Sequence, residues 1–171
     1  MQMNDSQRIP ASKEKVWAAL NDPEVLKKCI PGCQNLEMSS PTDMTATVVF
    51  RVGPVKVTFG GKVTLSDLDP PNGYTITGDG SGGPAGFAKG SAVVRLVENT
   101  GSTTLNYEVK AQIGGKLAQL GSRLIDATSK KLAGEFFEKF GEAVAPPAET
   151  AAAETAAAEK KKGWFRTLIK K

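Results

Sequence analysis

Residues that commonly carry out enzymatic chemistry are scarce in this sequence. It contains no histidine, which excludes Ser-His-Asp and Cys-His catalysis, histidine general bases and the commonest transition-metal ligand. Its two cysteines, Cys29 and Cys33, lack the spacing of a redox pair, and no second pair completes a metal site. The sequence therefore predicts reduced, partly buried thiols and no metal site.

Three acidic residues, Asp67, Asp69 and Asp79, lie close together in the sequence. All three fall in or beside predicted turns, where carboxylates usually cap the backbone or face solvent. We interpret them as turn residues rather than as a general acid–base pair.

A glycine-rich segment, Gly78 to Gly90, contains a G-x-G-x-x-G pattern at Gly78, Gly80 and Gly83. A dinucleotide-binding loop of this type leads directly into a helix, whose N-terminus meets the phosphate. Here Pro84 and the alternating residues beyond it indicate another strand instead. The segment is therefore interpreted as a flexible or bulged hairpin, in which glycine permits tight curvature.

The formal net charge of +4 is unevenly distributed along the chain. Residues 1–145 hold 16 Lys and Arg against 15 Asp and Glu, whereas residues 160–171 hold six cations and no acid. A nucleic-acid-binding domain carries basic charge across a folded surface, so this distribution predicts no nucleic-acid partner. No apolar run approaches the roughly 20 residues that span a bilayer, and no secretory signal is recognisable, so the default compartment is the cytoplasm.

Two hydrophobic periodicities indicate the elements of the predicted domain, residues 1–145. A short edge strand, Gln2 to Ile9, precedes two short helices with the N-caps Ser12 and Asp22. Apolar residues then recur at every second position as far as about Gln112, which indicates six antiparallel strands. After a glycine pair, helical spacing continues for about seven turns. The order predicts an α+β fold, a curved antiparallel sheet of six to seven strands wrapped around a long C-terminal helix.

The dry face of this sheet and the apolar stripe of the helix predict a ligand pocket. Thr128, Gly121 and Gly134 are small residues along the helix that leave room for an apolar ligand. Periodicity alone leaves open whether this space is a cavity or a filled core. The predicted lining takes four residues from the strands, three from the helix and one, at the mouth, from the glycine-rich hairpin: Phe50, Phe59, Tyr74, Tyr107, Leu120, Leu124, Phe136 and Phe87.

The C-terminal residues divide into a linker and a basic tail. Residues 146–159 are a low-complexity Ala/Glu-rich linker, and residues 160–171 place four apolar side chains on one helical face among cations. Such a tail is solvated, docks a partner or binds a membrane; Trp and Phe beside lysines favour an anionic membrane surface. The predicted membrane-binding residues are Lys160, Lys161, Lys162, Trp164, Phe165, Arg166, Leu168, Ile169, Lys170 and Lys171.

Four segments of the sequence together resemble a known family. They read VWAALNDPEVLKKCIPGC, FGGKVTL, GDGSGGPAGFAKGSA and AQIGGKLAQLGSRLIDATSKKLAGEFFEKF. Over residues 1–142 the chain resembles the CoxG family of carbon monoxide dehydrogenase accessory subunits. The resemblance implies the helix-grip fold of the START-like (SRPBCC) superfamily, with an apolar cavity between the sheet and the long helix. It also implies a non-catalytic role, attaching a molybdenum-containing carbon monoxide dehydrogenase to the cytoplasmic membrane.

Residues and resemblance combine into one functional hypothesis. The chain is expected to be a peripheral protein on the cytoplasmic face of the membrane, to recruit the dehydrogenase and to carry a non-covalently bound quinone to it. A small cyclase- or aromatase-like enzyme on the same fold is one alternative, and it would need titratable groups in the cavity. An adaptor with a fully packed core and no ligand is the other. The predicted inward rows are almost purely apolar, which favours the carrier.

Overall fold

The computed structural model describes residues 1–145, which form one seven-stranded antiparallel sheet and four α-helices. The sheet order is β1-β7-β6-β5-β4-β3-β2. This architecture confirms the α+β prediction and its strand count. The predicted linker and basic tail, residues 146–171, lie outside the described residues. The strands are β1 (Gln2–Ile9), β2 (Cys33–Ser40), β3 (Asp43–Val52), β4 (Val55–Asp69), β5 (Gly73–Ser81), β6 (Phe87–Asn99) and β7 (Ser102–Gly114).

The two short helices between β1 and β2 begin at the predicted caps. Helix α1 (Lys13–Leu20) is capped by the Ser12 side chain, which accepts a hydrogen bond from the Lys15 amide. Helix α2 (Pro23–Cys29) is capped by Asp22, which accepts from the Glu24 amide. Because a side-chain cap satisfies a free amide of the first turn, each cap fixes where its helix starts.

The predicted continuous C-terminal helix is wrong in one respect, because the structure divides it into two helices. The first is α3 (Lys116–Gln119) and the second is α4 (Ser122–Val144). Gly121 separates them with a φ of 96° and a ψ of 150°, a conformation that only glycine adopts readily. The apolar spacing continues across the break, which is why the sequence suggested one helix.

Strands β5 and β6 contain most of the glycine-rich segment, so the hairpin interpretation is confirmed but the loop is much shorter than the segment. Gly78 pairs with Gly90, and Gly80 pairs with Ala88 and with Gly61 of β4. Only residues 82–86 connect the strands, and they include a single 3-10 turn, Gly83–Ala85. The glycines are therefore mainly residues of the sheet surface.

Helix α4 packs on one face of the sheet, called the inner face below. Phe140 and Val144, near its end, are buried with Val16 of α1 and Leu105 of β7 in the main hydrophobic cluster. A second, smaller cluster joins Val52, Val57 and Leu117. Burial of apolar surface in the two clusters stabilises the fold by roughly 25 cal/mol per Å². The clusters fix the position of α4 and leave space over the middle of the sheet.

Candidate ligand-binding cavity

An enclosed apolar cavity of about 300 Å³ lies between the inner face of the sheet, α2 and the second half of α4. Two tyrosine hydroxyls are the only side-chain oxygen or nitrogen atoms among the described residues that form its wall. The wall is formed by Leu20, Leu26, Ile30, Leu36, Met44, Ala46, Val63, Leu65, Tyr74, Ile76, Ala92, Val94, Leu105, Tyr107, Phe136 and Phe137.

The cavity continues into a more open cleft of about 480 Å³ over the centre of the sheet. Ile30, Ala46, Val63, Ile76 and Ala92 belong to the walls of both spaces, so they form one passage. Aromatic rings mark the far part of the cleft. Phe50 and Phe59 stand edge to face there, with ring centroids 5.6 Å apart.

Small residues on the sheet explain why the cleft is empty. Pairing brings Gly61, Gly80 and Ala88 side by side on β4, β5 and β6, and next to them Gly78 and Gly90. These positions lie on the inner face because they alternate with the inward-facing apolar residues of their strands. With no side chain above Cα or Cβ, this floor leaves a space that α4 does not fill.

Tyr74 is a buried polar residue in the closed part of the passage. Its side chain is 3% exposed, and its ring meets that of Trp17 edge on, with centroids 5.1 Å apart. Burial raises the pKa of its hydroxyl far above the ordinary value, so the group stays protonated. No group of residues 1–145 forms a hydrogen bond with this hydroxyl.

Tyr107, the second tyrosine of the wall, has a more polar environment. Its ring stacks on Phe137 at 5.4 Å. Burial and the nearby Asp5 carboxylate raise the pKa of the Tyr107 hydroxyl, and the Gln7 side chain lowers it by hydrogen bonding. The two tyrosines therefore differ in whether the protein supplies a polar partner.

Comparison with protein families decides the identity of the chain. The family model described by the name CoxG, for a component of carbon monoxide dehydrogenase, matches residues 6–145. The chain belongs to the CoxG family. This membership confirms the resemblance seen in the sequence and covers nearly all of the described domain. No curated protein sequence matches the chain.

Solved structures place this CoxG-family chain among helix-grip proteins of the START-like superfamily. A conserved protein from Geobacillus kaustophilus is 32% identical, with a TM-score of 0.80 over 84% of this chain and 95% of that one. The Zhui aromatase/cyclase from Streptomyces sp. R1128 is 12% identical, with a TM-score of 0.58 over 84% of this chain and 93% of that one. Ara h 8.0201 is 17% identical, also with a TM-score of 0.58, over 84% and 97%. At such low identity the last two show the fold alone.

The structure brings five of the eight residues predicted for the pocket of this CoxG-family chain into the passage. Two lie in the cleft and three in the enclosed cavity, but their ligand-binding role stays a prediction. These five are Phe50 and Phe59 in the cleft, and Tyr74, Tyr107 and Phe136 in the cavity.

The other three predicted residues lie elsewhere. Leu120 and Leu124 pack in the second cluster, because the break at Gly121 turns α3 toward the ends of β3 and β4. Phe87 pairs with Ser81 and Gly114 on the outer face of the sheet, and it is 46% exposed. Its predicted place at the cavity mouth is wrong because the short hairpin puts it on the opposite parity.

Sequence reasoning missed the glycine floor of the cleft. The alternating inward row of β5 runs Tyr74, Ile76, Gly78 and Gly80, and continuing the two-residue period through the glycines would have found it. Because those glycines were interpreted as a flexible hairpin, their position opposite the helix was overlooked.

Other reactive groups of this CoxG-family domain offer no chemistry to the cavity. Cys29 and Cys33 are free thiols, and burial raises the pKa of the Cys29 thiol, which keeps it protonated. Within residues 1–145, no group of three or more His, Cys, Asp or Glu side chains is arranged to hold a metal ion. None of the helices between residues 1 and 145 is long and apolar enough to cross a membrane.

Proposed function

We propose that this CoxG-family chain is a non-catalytic carrier that binds a quinone in its apolar cavity and recruits a molybdenum-containing carbon monoxide dehydrogenase to the cytoplasmic membrane. The observation that carries the proposal is the passage of about 300 Å³ and about 480 Å³ between sheet and helices, with an unpartnered tyrosine hydroxyl in its wall. An enclosed apolar space with few polar groups suits a hydrophobic ligand that carries a small polar head.

Size and chemistry both support a quinone. Small-molecule sites occupy about 300–1,000 Å³ and are mostly apolar with a few placed polar groups. A flat quinone ring with part of its tail fits this description, and burial of its apolar surface contributes roughly 25 cal/mol per Å². Binding of this kind needs no covalently attached cofactor.

The dehydrogenase partner follows from the family, whose full name contains that enzyme. A soluble oxidoreductase that passes electrons to a quinone must reach a molecule dissolved in lipid. A carrier held at the cytoplasmic face as a peripheral protein solves this problem. The basic tail, residues 160–171, supports that location, because its cations and four apolar side chains suit an anionic lipid surface.

Two other roles on the same fold are less well supported. A cyclase- or aromatase-like enzyme needs acid–base groups at the substrate. The described wall of the enclosed cavity instead has only Tyr74 and Tyr107 as titratable groups, and burial keeps both protonated. An adaptor without ligand would be expected to have a filled core, whereas this domain has space over the centre of its sheet.

Quinone titration tests the proposal directly. The chain has two tryptophans, so a Trp164→Phe variant leaves Trp17, whose ring lies 5.1 Å from that of Tyr74, as the sole fluorophore of its type. A short-chain quinone should quench Trp17 saturably and raise the melting temperature. Mass spectrometry should recover the quinone unchanged, whereas a converted product would favour the enzyme. Absence of both quenching and stabilisation in folded protein would remove the carrier role.

A further inference from the structure

We propose that the ligand enters this passage head first. Its carbonyl accepts a hydrogen bond from the Tyr74 hydroxyl at the closed end, and its hydrocarbon tail lies along the glycine floor toward the open cleft. The inference rests on the proposed function, since it assigns an orientation and a specificity-determining residue to the same site.

The first argument is the unpartnered hydroxyl of Tyr74. Buried polar groups in folded proteins nearly always have a hydrogen-bond partner, and each exception needs an explanation. Tyr74 is 3% exposed, and no group of residues 1–145 forms a hydrogen bond with its hydroxyl. Because the phenol is protonated, it offers a donor to an acceptor such as a quinone carbonyl. A ligand head group at this position satisfies the hydroxyl.

Tyr107 is less suited to the same task. The Gln7 side chain and the Asp5 carboxylate both lie close enough to its hydroxyl to affect its pKa. Its polar end therefore already interacts with strand β1, and a ligand would have to compete with those groups. The structure assigns recognition of the head group to Tyr74.

The inner-face row of β5 gives the path of the tail. Tyr74 lines the enclosed cavity, Ile76 lines both spaces, and Gly78 and Gly80 line the open cleft. At about 3.3 Å per strand residue, Tyr74 and Gly80 are roughly 20 Å apart. The row thus changes from a bulky polar residue to bare backbone along the direction in which the passage opens.

The reverse orientation satisfies neither end of the passage. A head group in the open cleft would lie over glycine and alanine, with no buried side-chain donor there among the described residues, and the tail in the cavity would leave the Tyr74 hydroxyl unpaired. Loss of a hydrogen bond in an apolar site is unfavourable because water cannot replace the partner. Head-first binding pairs the hydroxyl and buries the tail.

The first experiment compares Tyr74→Phe with Tyr107→Phe in the full chain, using Trp17 quenching in the Trp164→Phe background. The probes are a prenylated benzoquinone and a prenylated benzene of the same shape, which lacks both carbonyls. Since the benzene does not quench efficiently, its binding is measured by displacement of the quinone. Tyr74→Phe should weaken quinone binding by about three- to tenfold, and more than Tyr107→Phe does. It should leave benzene binding undiminished. Equal losses in the two variants, or no loss in Tyr74→Phe, would overturn the assignment.

The second experiment tests the tail with Gly78→Leu. A Cβ at Gly78 would meet its nearest atoms at 3.4 and 3.6 Å, which is ordinary contact, so the strand accommodates the side chain. Gly60→Leu is the matched control, because a Cβ at Gly60 meets nothing within 4 Å and the residue faces outward beside Ser81. In the wild type, affinity should rise as prenyl units are added to the quinone and level off once the cleft is filled.

Gly78→Leu should remove most of this gain with tail length, and Gly60→Leu should retain it. If Gly78→Leu instead abolishes binding of a quinone with no tail while Tyr74→Phe changes nothing, the head group lies in the cleft and the orientation is reversed. Failure of the wild type to bind any quinone is a different result, which removes the proposed function itself.

Discussion

The Tyr74 hydroxyl is a group whose cost in the ligand-free protein can be measured. An unpaired polar group in an apolar interior destabilises a fold by about 1–3 kcal/mol. Tyr74→Phe keeps the ring packed edge on against Trp17 and removes only the hydroxyl. The ligand-free variant should therefore be more stable than the wild type by about 1 kcal/mol, with an unchanged urea m-value, when both are unfolded in urea.

Tyr107→Phe provides the comparison for that measurement. Its hydroxyl has Gln7 and Asp5 nearby, so its removal should leave stability unchanged or lower it slightly. If Tyr74→Phe proves less stable than the wild type, the hydroxyl has a partner in solution, and the argument for a vacant hydrogen bond fails. A gain in stability combined with a loss of quinone affinity would identify a residue kept for function rather than for folding.

At the level of single residues, the sequence predicted the pocket where alternation fixes the facing of a side chain. Tyr74 and Tyr107 are on regular strands, so counting by two placed them correctly. Phe87 was misplaced because its facing depends on the length of the preceding hairpin. The unpaired state of the Tyr74 hydroxyl could not be predicted at all, since it depends on every neighbour that the fold brings to that point.

Among the elements, the break between α3 and α4 can be tested through its glycine. Gly121 has a φ of 96°, so Gly121→Ala should destabilise the domain by about 1–3 kcal/mol through backbone strain. Gly134 lies inside α4, and a Cβ there would meet nothing within 4 Å. Gly134→Ala should therefore stabilise the domain by up to about 1 kcal/mol, since alanine is the better helix former. Thermal or urea unfolding of both variants measures the pair.

Opposite signs for two Gly→Ala changes in one region separate conformational strain from helix propensity. Were Gly121→Ala as stable as the wild type, α3 and α4 would be a continuous helix in solution. Leu120 and Leu124 would then return to the stripe that faces the sheet, and their predicted place in the cavity wall would be restored.

The elements themselves were largely predictable, because two periodicities and a few caps specify them. Ser12 and Asp22 begin the two short helices where the sequence placed them. The division of the C-terminal helix was not predictable, because the apolar spacing continues across Gly121. The cleft required the register of β4, β5 and β6, which local sequence does not specify.

The whole molecule separates a nearly neutral ligand domain from a strongly basic tail. Residues 1–145 hold 16 cations and 15 acids, and residues 160–171 hold six cations and no acid. Since the hydrophobic clusters of the described domain are built from residues before 146, deletion of residues 160–171 should leave quinone binding and melting temperature unchanged. The same deletion should abolish co-sedimentation with liposomes that contain anionic lipid.

Two kinds of interaction contribute to the expected membrane attachment, and salt separates them. Each cation near an anionic surface contributes about 1 kcal/mol, which is screened as ionic strength rises. Burial of the Trp164 and Phe165 side chains is apolar and is not weakened by salt. A Trp164→Ala/Phe165→Ala variant of the full chain should therefore bind anionic liposomes weakly at low salt and lose binding at moderate salt, whereas the wild type retains part of its binding. Undiminished co-sedimentation of the protein lacking residues 160–171 would contradict the anchor, and the contact with lipid would then have to come from the folded domain.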